Sequence, residues 1–301
     1  MNKVAVLIPC YNEALTVEKV VTDFKRELPD ADIYVYDNNS TDDTAVLAEK
    51  AGAIVRHETH QGKGNVVRTM FREIEADAYV MVDGDDTYPA EEIHKLLEPV
   101  LNGNADMVIG DRLSNGTYYS ENKRKFHNFG NNMVRDLINR LFHGHINDIM
   151  TGYRVFSRRF VKVMPVRSEG FQIETEITVF SLIMRMNIIE LPITYRDRPE
   201  GSFSKLNTYK DGMKVLVTLF DLFKNYRPMY FFFWIALVLF VIGTLIINLT
   251  TTFNGLAGGI VTDISAVILF VTGIILDSTK NQSVQQLEEE LNRYSREGEK
   301  E

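Results

Sequence analysis

Two stretches near the carboxyl end constrain this chain more than anything else in it. Residues 229–249, "MYFFFWIALVLFVIGTLIINL", and 256–276, "LAGGIVTDISAVILFVTGIIL", are almost wholly apolar. Each holds about the twenty residues that a helix needs to cross the hydrocarbon of a bilayer. The link between them, "TTTFNG", is too short for anything but a hairpin. Lys224 and Arg227 flank the first span and Lys280 the second, whereas the link carries no Lys or Arg. Cationic flanks stay on the cytoplasmic side, so the chain before the first span and the chain after the second are expected there together. The plain alternative is a pair of buried helices in a soluble core. Asp263 breaks the apolar pattern of the second span. Such a carboxylate faces a partner helix or a polar cavity, unless it lies near the outer headgroups.

Before Pro228 the chain reads as soluble protein; overall it is 45% hydrophobic and 25% charged, ordinary for a globular fold. Residues 1–206 are expected to form one domain. Residues 207–227, "NTYKDGMKVLVTLFDLFKNYR", set Lys210, Lys214 and Lys224 beside Met213, Leu216, Leu219 and Phe223. That pattern predicts an amphipathic helix lying at the headgroups, or else a surface helix packed on the core. Spans and link fill 228–277, and 278–301 form a polar tail. Val284, Leu287, Leu291 and Tyr294 there have near-heptad spacing over too short a length for a coiled coil. The amino terminus, "MNKVAVLIPCYNE", has too short an apolar run for a signal peptide and no small-residue cleavage site.

The first hundred residues alternate short apolar runs with helical spacing. "KVAVLIP", "ADIYVYD", "AIVRHE" and "AYVMVD" read as strands; the segments between them repeat apolar residues as helices do, as at Val17, Val20, Val21 and Phe24. The pattern predicts an α/β fold, a mostly parallel Rossmann-like sheet with helices on both faces. "ADMVIGDR" is a further strand. Ligands bind such sheets at the carboxyl ends of the strands, where Asn12/Glu13, Asp37/Asn38 and Asp83/Asp85 all fall.

The stretch "YVMVDGDDTYP" ends a buried strand on Asp83, Asp85 and Asp86. Like charges this close repel, so something positive is expected beside them. Asp83 and Asp85 bracket a glycine, and alternate positions on extended chain point the same way. Carboxylate-lined sites suit Mg²⁺ or Mn²⁺ together with substrate phosphates; the bland reading is a solvated loop. A net charge of -8 argues against a general nucleic-acid binder. The single cysteine, Cys10, permits neither an intrachain disulfide nor a cysteine zinc site and reads as packing. His143 and His145 have no metal spacing and read as surface residues.

Taken in order, "IPCYNE", "DNNSTDDT", "GKG", the D-x-D of "VDGDD", "GDR", "DIMTGYR" and the membrane hairpin resemble the family 2 glycosyltransferases of GT-A fold. More narrowly they resemble the polyprenyl-phosphate glycosyltransferases, the group of dolichyl-phosphate mannose synthase and the undecaprenyl-phosphate glucosyltransferases. The resemblance implies a cytoplasmic catalytic domain at a bacterial plasma membrane, with a homo-oligomer left open. It implies inverting transfer of a hexose from a nucleotide sugar, a UDP-sugar favoured over GDP-mannose, to a polyprenyl phosphate. Pro9, Tyr11, Asn12, Glu13 and Asp37 match the nucleotide loops, with Lys63 beside base and ribose. Asp83 and Asp85 match the metal motif, Asp85 favoured as direct ligand. Many relatives carry Gln where Thr87 stands, and Asp86 reads as solvated. Arg112, Arg124 and Asn128 match the group that holds the acceptor phosphate. Arg198 and Lys205, in "YRDRPEGSFSK", fit over the pyrophosphate or the acceptor and are assigned to the acceptor phosphate. Asp148 and Arg154 match the catalytic motif; Glu174 and Glu176 cap the sugar pocket or form internal pairs, the latter favoured for Glu176. A transferase acting on a hydroxyl is the rival enzyme, although no Q-x-x-R-W motif is present. A non-catalytic membrane scaffold is the rival of another class.

Overall fold

The computed structural model describes residues 2–114, 116, 125–202, 205 and 208–298. Seven strands form one sheet: β1 (Val4–Cys10), β2 (Asp32–Asp37), β3 (Ile54–His57), β4 (Ala78–Met81), β5 (Met107–Asp111), β6 (Arg154–Ser157) and β7 (Ile188–Pro192). Their order is β3-β2-β1-β4-β6-β5-β7. All pair in parallel except β6, which runs antiparallel between β4 and β5. Strands covered on both faces need near-continuous apolar sequence, and Ala5, Val6, Leu7 and Ile8 of β1 are all fully buried.

Alternation along β1 sends Val6, Ile8 and Cys10 to one face, where they meet Val17, Val20, Val21 and Phe24 of the Val17–Glu27 helix. Ile93, Leu96 and Val100 of the Ile93–Leu101 helix join the same cluster. The Lys63–Glu73 helix buries Val66, Val67, Met70 and Phe71, and Phe71 packs edge-on against Phe156 of β6. Each such side chain contributes about 1.5–3 kcal/mol on burial, which anchors the strands and leaves their ends free to diverge as loops.

The antiparallel β6 is what the alternating pattern does not contain. It carries Arg154 into the sheet opposite Met81 and Ile109, so the 148–153 loop reaches β6 from the same edge at which the parallel strands end. Three of the loops on that edge turn on a left-handed residue: Asn12 (φ 54°), Asn39 (φ 63°) and Asp86 (φ 58°). Asn and Asp tolerate this conformation better than most residues.

The chain divides into two compact units, Met1–Thr218 with Leu291–Glu301, and Leu219–Glu290. The division falls within the Thr208–Tyr226 helix. The second unit contains two helices long and apolar enough to cross a membrane. The first, Pro228–Leu249, measures about 33 Å at 1.5 Å per residue. The second belongs to a continuous 46-residue helix, Phe253–Gly298, which carries on through the polar tail. Asp263 faces the partner helix: a Cβ at Gly243 would lie 2.1 Å from its Oδ1. That oxygen is buried and has no hydrogen-bond partner among the described residues.

Candidate active site

β4 ends at Met81, so Asp83 and Asp85 stand on the loop that follows it. This loop is clamped from below. The Gly84 carbonyl accepts a hydrogen bond from Thr16 Oγ1 at 2.6 Å, and a Cβ at Gly84 would fall 2.6 Å from Cys10 Sγ. Cys10 is thus a packing residue, its thiol pushed up by burial and then by Glu13 and the neighbouring aspartates.

The positive charge that the aspartates require comes from three separate segments. Lys63 Nζ lies 2.5 Å from Asp83 Oδ1 and 2.6 Å from Glu174 Oε1. Burial alone would lower this amine, but the two carboxylates outweigh it and raise it. Asp85, only 4% exposed, is paired with Arg198 and accepts from Thr87 Oγ1 at 2.6 Å. Burial and then Asp83 raise its carboxyl. Thr87 therefore orients the second aspartate of the motif. Asp86 is not simply solvated; Lys19 holds it at 2.8 Å.

Lys63 accordingly pairs with Asp83 of the D-x-D and with Glu174. The glycines around it answer to packing: a Cβ at Gly62 or Gly64 would lie 2.2 Å from Glu169 O or 2.1 Å from Ser168 O. The segment before the Ile173–Ile183 helix is held in turn by Glu176, whose carboxylate accepts from Arg167 N and Ser168 N at 3.0 and 2.7 Å.

On the nucleotide side, Asn12 Oδ1 accepts from Thr41 N at 2.7 Å, and Glu13 N donates to Thr44 Oγ1 at 2.8 Å, which ties the first loop to the second. Tyr11 is exposed beside the half-buried Pro9. Asp37 is 6% exposed; its Oδ2 accepts from Ser40 N at 3.3 Å, while its Oδ1 is buried with no hydrogen-bond partner among the described residues. A buried acceptor left unsatisfied is costly, which suits a site completed by a ligand. Lys205 Nζ reaches Glu13 Oε1 at 2.8 Å and Asn12 O at 2.7 Å. Arg198 and Lys205, assigned from sequence to the acceptor phosphate, thus lie on the nucleotide loop and the metal motif.

Arg112 and Asp148 form the second charged centre. The Arg112 guanidinium donates to both Asp148 oxygens, at 2.8 and 2.9 Å, and its backbone N–H donates at 3.1 Å. Asp148 N in turn donates to Glu190 Oε1 at 3.0 Å. Arg154 is completely buried. It donates to Thr151 O at 3.1 Å, Ile149 O at 2.5 Å and Thr178 Oγ1 at 3.0 Å, and burial pushes its pKa down to about 10. The expectation of a catalytic Arg154 is therefore corrected to a positioning role, because it shapes the loop that presents Asp148 and touches no surface. Arg124 and the side chain of Asn128 lie outside the described residues.

The two centres meet through residues to which the sequence motifs assign no role. Gly152 has room for no side chain, since a Cβ would fall 2.3 Å from Asp83 Oδ2. Tyr88 Oη accepts from Gly152 N at 3.0 Å and lies 3.4 Å from Arg112 Nη1. The Arg112 guanidinium also sits 5.6 Å above the Tyr195 ring. A small pocket opens beside Asp148, bounded by Leu113, Arg135 and residues 147–150. Tyr88 follows the metal motif in "DTYP" and Tyr195 opens "YRDRPEGSFSK", proximities that sequence alone could have flagged; nothing local marks Glu190.

The carboxylate pair fits a divalent cation. Two monovalent side-chain cations balance it, and among the described residues no cluster of three or more His, Cys, Asp or Glu forms a self-sufficient metal cage. Magnesium sites of this kind are completed by substrate phosphates and water.

The model of glycosyl transferase family 2 matches residues 5–164. The glycosyltransferase AglJ of Haloferax volcanii is 36% identical over 236 residues, 77% of this chain and 75% of that one. A dolichyl-phosphate hexose transferase of the same organism is 29% identical, covering 71% of this chain and 91% of its own. Among solved structures, glucosyl-3-phosphoglycerate synthase from Mycobacterium tuberculosis, in complex with Mn²⁺, UDP and glucosyl-3-phosphoglycerate, superposes with a TM-score of 0.59 at 20% identity, over 73% of this chain and 80% of that one. At that identity the likeness establishes a shared fold.

Proposed function

Because the chain belongs to glycosyl transferase family 2, we propose that it moves one hexose from a nucleotide sugar, a UDP-sugar in preference to GDP-mannose, onto a polyprenyl phosphate at the cytoplasmic leaflet. The observation that carries this reading is the placement of two charged centres on one sheet edge. Asp83 and Asp85 are balanced by Lys63 and Arg198, and Arg112 is gripped by Asp148 beyond Gly152 and Tyr88. The dolichyl-phosphate hexose transferase among its relatives supports the acceptor class, and the bound UDP of the fold neighbour supports the base.

Asp83 and Asp85 would hold Mg²⁺ or Mn²⁺, which supplies positive charge to the diphosphate as it departs. Pro9, Tyr11, Asn12, Glu13 and Asp37 bind the nucleotide. Arg112, Arg124 and Asn128 hold the acceptor phosphate, whose oxygen attacks the anomeric carbon from the face opposite the breaking bond to the diphosphate. An α-linked donor then gives a β-linked product. A phosphate monoester is largely dianionic near neutrality, its second pKa being about 6, so no base need remove a proton. Asp148 orients the arginine and the sugar.

A hydroxyl acceptor would require Asp148 to act as base, yet both of its oxygens are taken by Arg112. The product decides between the two. Incubation of the full chain with UDP-hexose and a polyprenyl phosphate should give a lipid-linked sugar released by mild acid. An acid-stable glycolipid would overturn the acceptor assignment.

The spans are read as a hairpin with both ends cytoplasmic. The Thr208–Tyr226 helix exposes Met213, Val217 and Phe220 along one line, which suits insertion among headgroups. In a Cys10→Ser background, a cysteine at Asn254 should react with an impermeant thiol reagent in intact cells. Labelling only after lysis would reverse the topology.

A further inference from the structure

The metal motif is already neutralised before any metal arrives. Asp83 is held by Lys63, which is itself fixed by Glu174. Asp85 is held by Arg198, whose guanidinium also stands 4.0 Å from Glu13. The two cations differ in how firmly they are placed. Lys63 is nearly buried between two carboxylates, whereas Arg198 is about a quarter exposed in the segment between β7 and the Thr208–Tyr226 helix.

A divalent ion approaching Asp85 meets a charge-assisted contact that it must displace, and the guanidinium that it displaces can turn towards the oxygens of an arriving diphosphate. Arginine grips phosphate oxygens in the same planar, two-pronged way as it grips a carboxylate. We propose that Arg198 and the divalent metal compete for Asp85, so that the metal enters the site only together with a nucleoside diphosphate, to which Arg198 transfers its grip. Lys205 repeats the arrangement one step away, on Glu13. Arg198 is then a donor-binding residue that keeps bare metal out of the site. The proposal rests on the donor reading above, and it adds the order in which the site fills.

Its signature is a pair of opposite effects in one variant, read by Mn²⁺ electron paramagnetic resonance titration of the detergent-solubilised full chain. The wild type should bind Mn²⁺ alone poorly and bind it well when UDP is added. Arg198→Gln should tighten binding of Mn²⁺ alone by about tenfold and weaken Mn²⁺ binding in the presence of UDP by about tenfold, since one charge-assisted contact is lost in each case. Asp85→Asn should abolish both, showing that the ion is read at this carboxylate. Unchanged or weaker binding of Mn²⁺ alone to Arg198→Gln overturns the proposal, as does Mn²⁺ binding in the presence of UDP that Arg198→Gln leaves unchanged. If the variant gains affinity for bare Mn²⁺ while neither UDP nor GDP recruits the ion to the wild type, the exclusion by Arg198 stands and the donor reading falls.

Discussion

Asp85→Ala should reduce sugar transfer about a thousandfold. Lewis-acid stabilisation of a departing diphosphate amounts to several kcal/mol, and each 1.4 kcal/mol is roughly a factor of ten in rate. Asp85 is set up for this role by its surroundings: Thr87 fixes one oxygen, while Arg198 occupies the other. Removing the carboxylate takes away the ligand and also one of the anions that Arg198 faces, leaving Glu13 at 4.0 Å. EDTA should silence the wild type to the same degree, with Mn²⁺ restoring it. Initial rates with radiolabelled UDP-hexose test both, and full turnover in metal-free buffer would refute the metal assignment.

Arg112→Ala should be the most damaging change to the folded state. Arg112 and Asp148 are almost fully buried, and deleting one member of such a pair leaves an uncompensated charge, at about 3–5 kcal/mol. Acceptor use should fall as well, by about ten- to a hundredfold, through loss of a contact of about 1.5–3 kcal/mol to the phosphate. Asp148→Asn removes the opposing charge but keeps an oxygen that can accept from the guanidinium. It should retain measurable turnover, because a phosphate dianion attacks unaided. Adding Asp148→Asn to Arg112→Ala should restore part of the lost stability in thermal melts without restoring acceptor use. A double variant no more stable than Arg112→Ala would mean that the pair's charge is not what makes the single change costly.

Parts of this site are legible in the sequence because they follow from local rules. Apolar runs that end in Asp37 and Asp83 place carboxylates at the carboxyl ends of parallel strands, wherever the rest of the chain goes. Other parts are not local. "GKG" resembles a loop that sets Lys63 beside base and ribose, yet its glycines are required by the backbone at Ser168–Glu169, about a hundred residues away in sequence. Asp86 reads as a solvated third aspartate, and only the packing of the Val17–Glu27 helix brings Lys19 to it. The same holds for Arg154: charge and motif position suggest chemistry, whereas β6 carries it into the sheet, where it holds the backbone at Ile149 and Thr151 and the hydroxyl of Thr178.

Strand–helix alternation, the carboxylate edge and the two membrane-length helices were determined by the sequence alone, since each follows from the spacing of apolar residues along one segment. Which cation meets which carboxylate was decided only by the tertiary structure. Asp83, Asp85 and Asp148 recruit Lys63, Arg198 and Arg112 from segments as far as 113 residues apart. Electrostatic attraction acts through space and is blind to sequence separation, so a chain can announce that charges must be balanced without revealing by which residue.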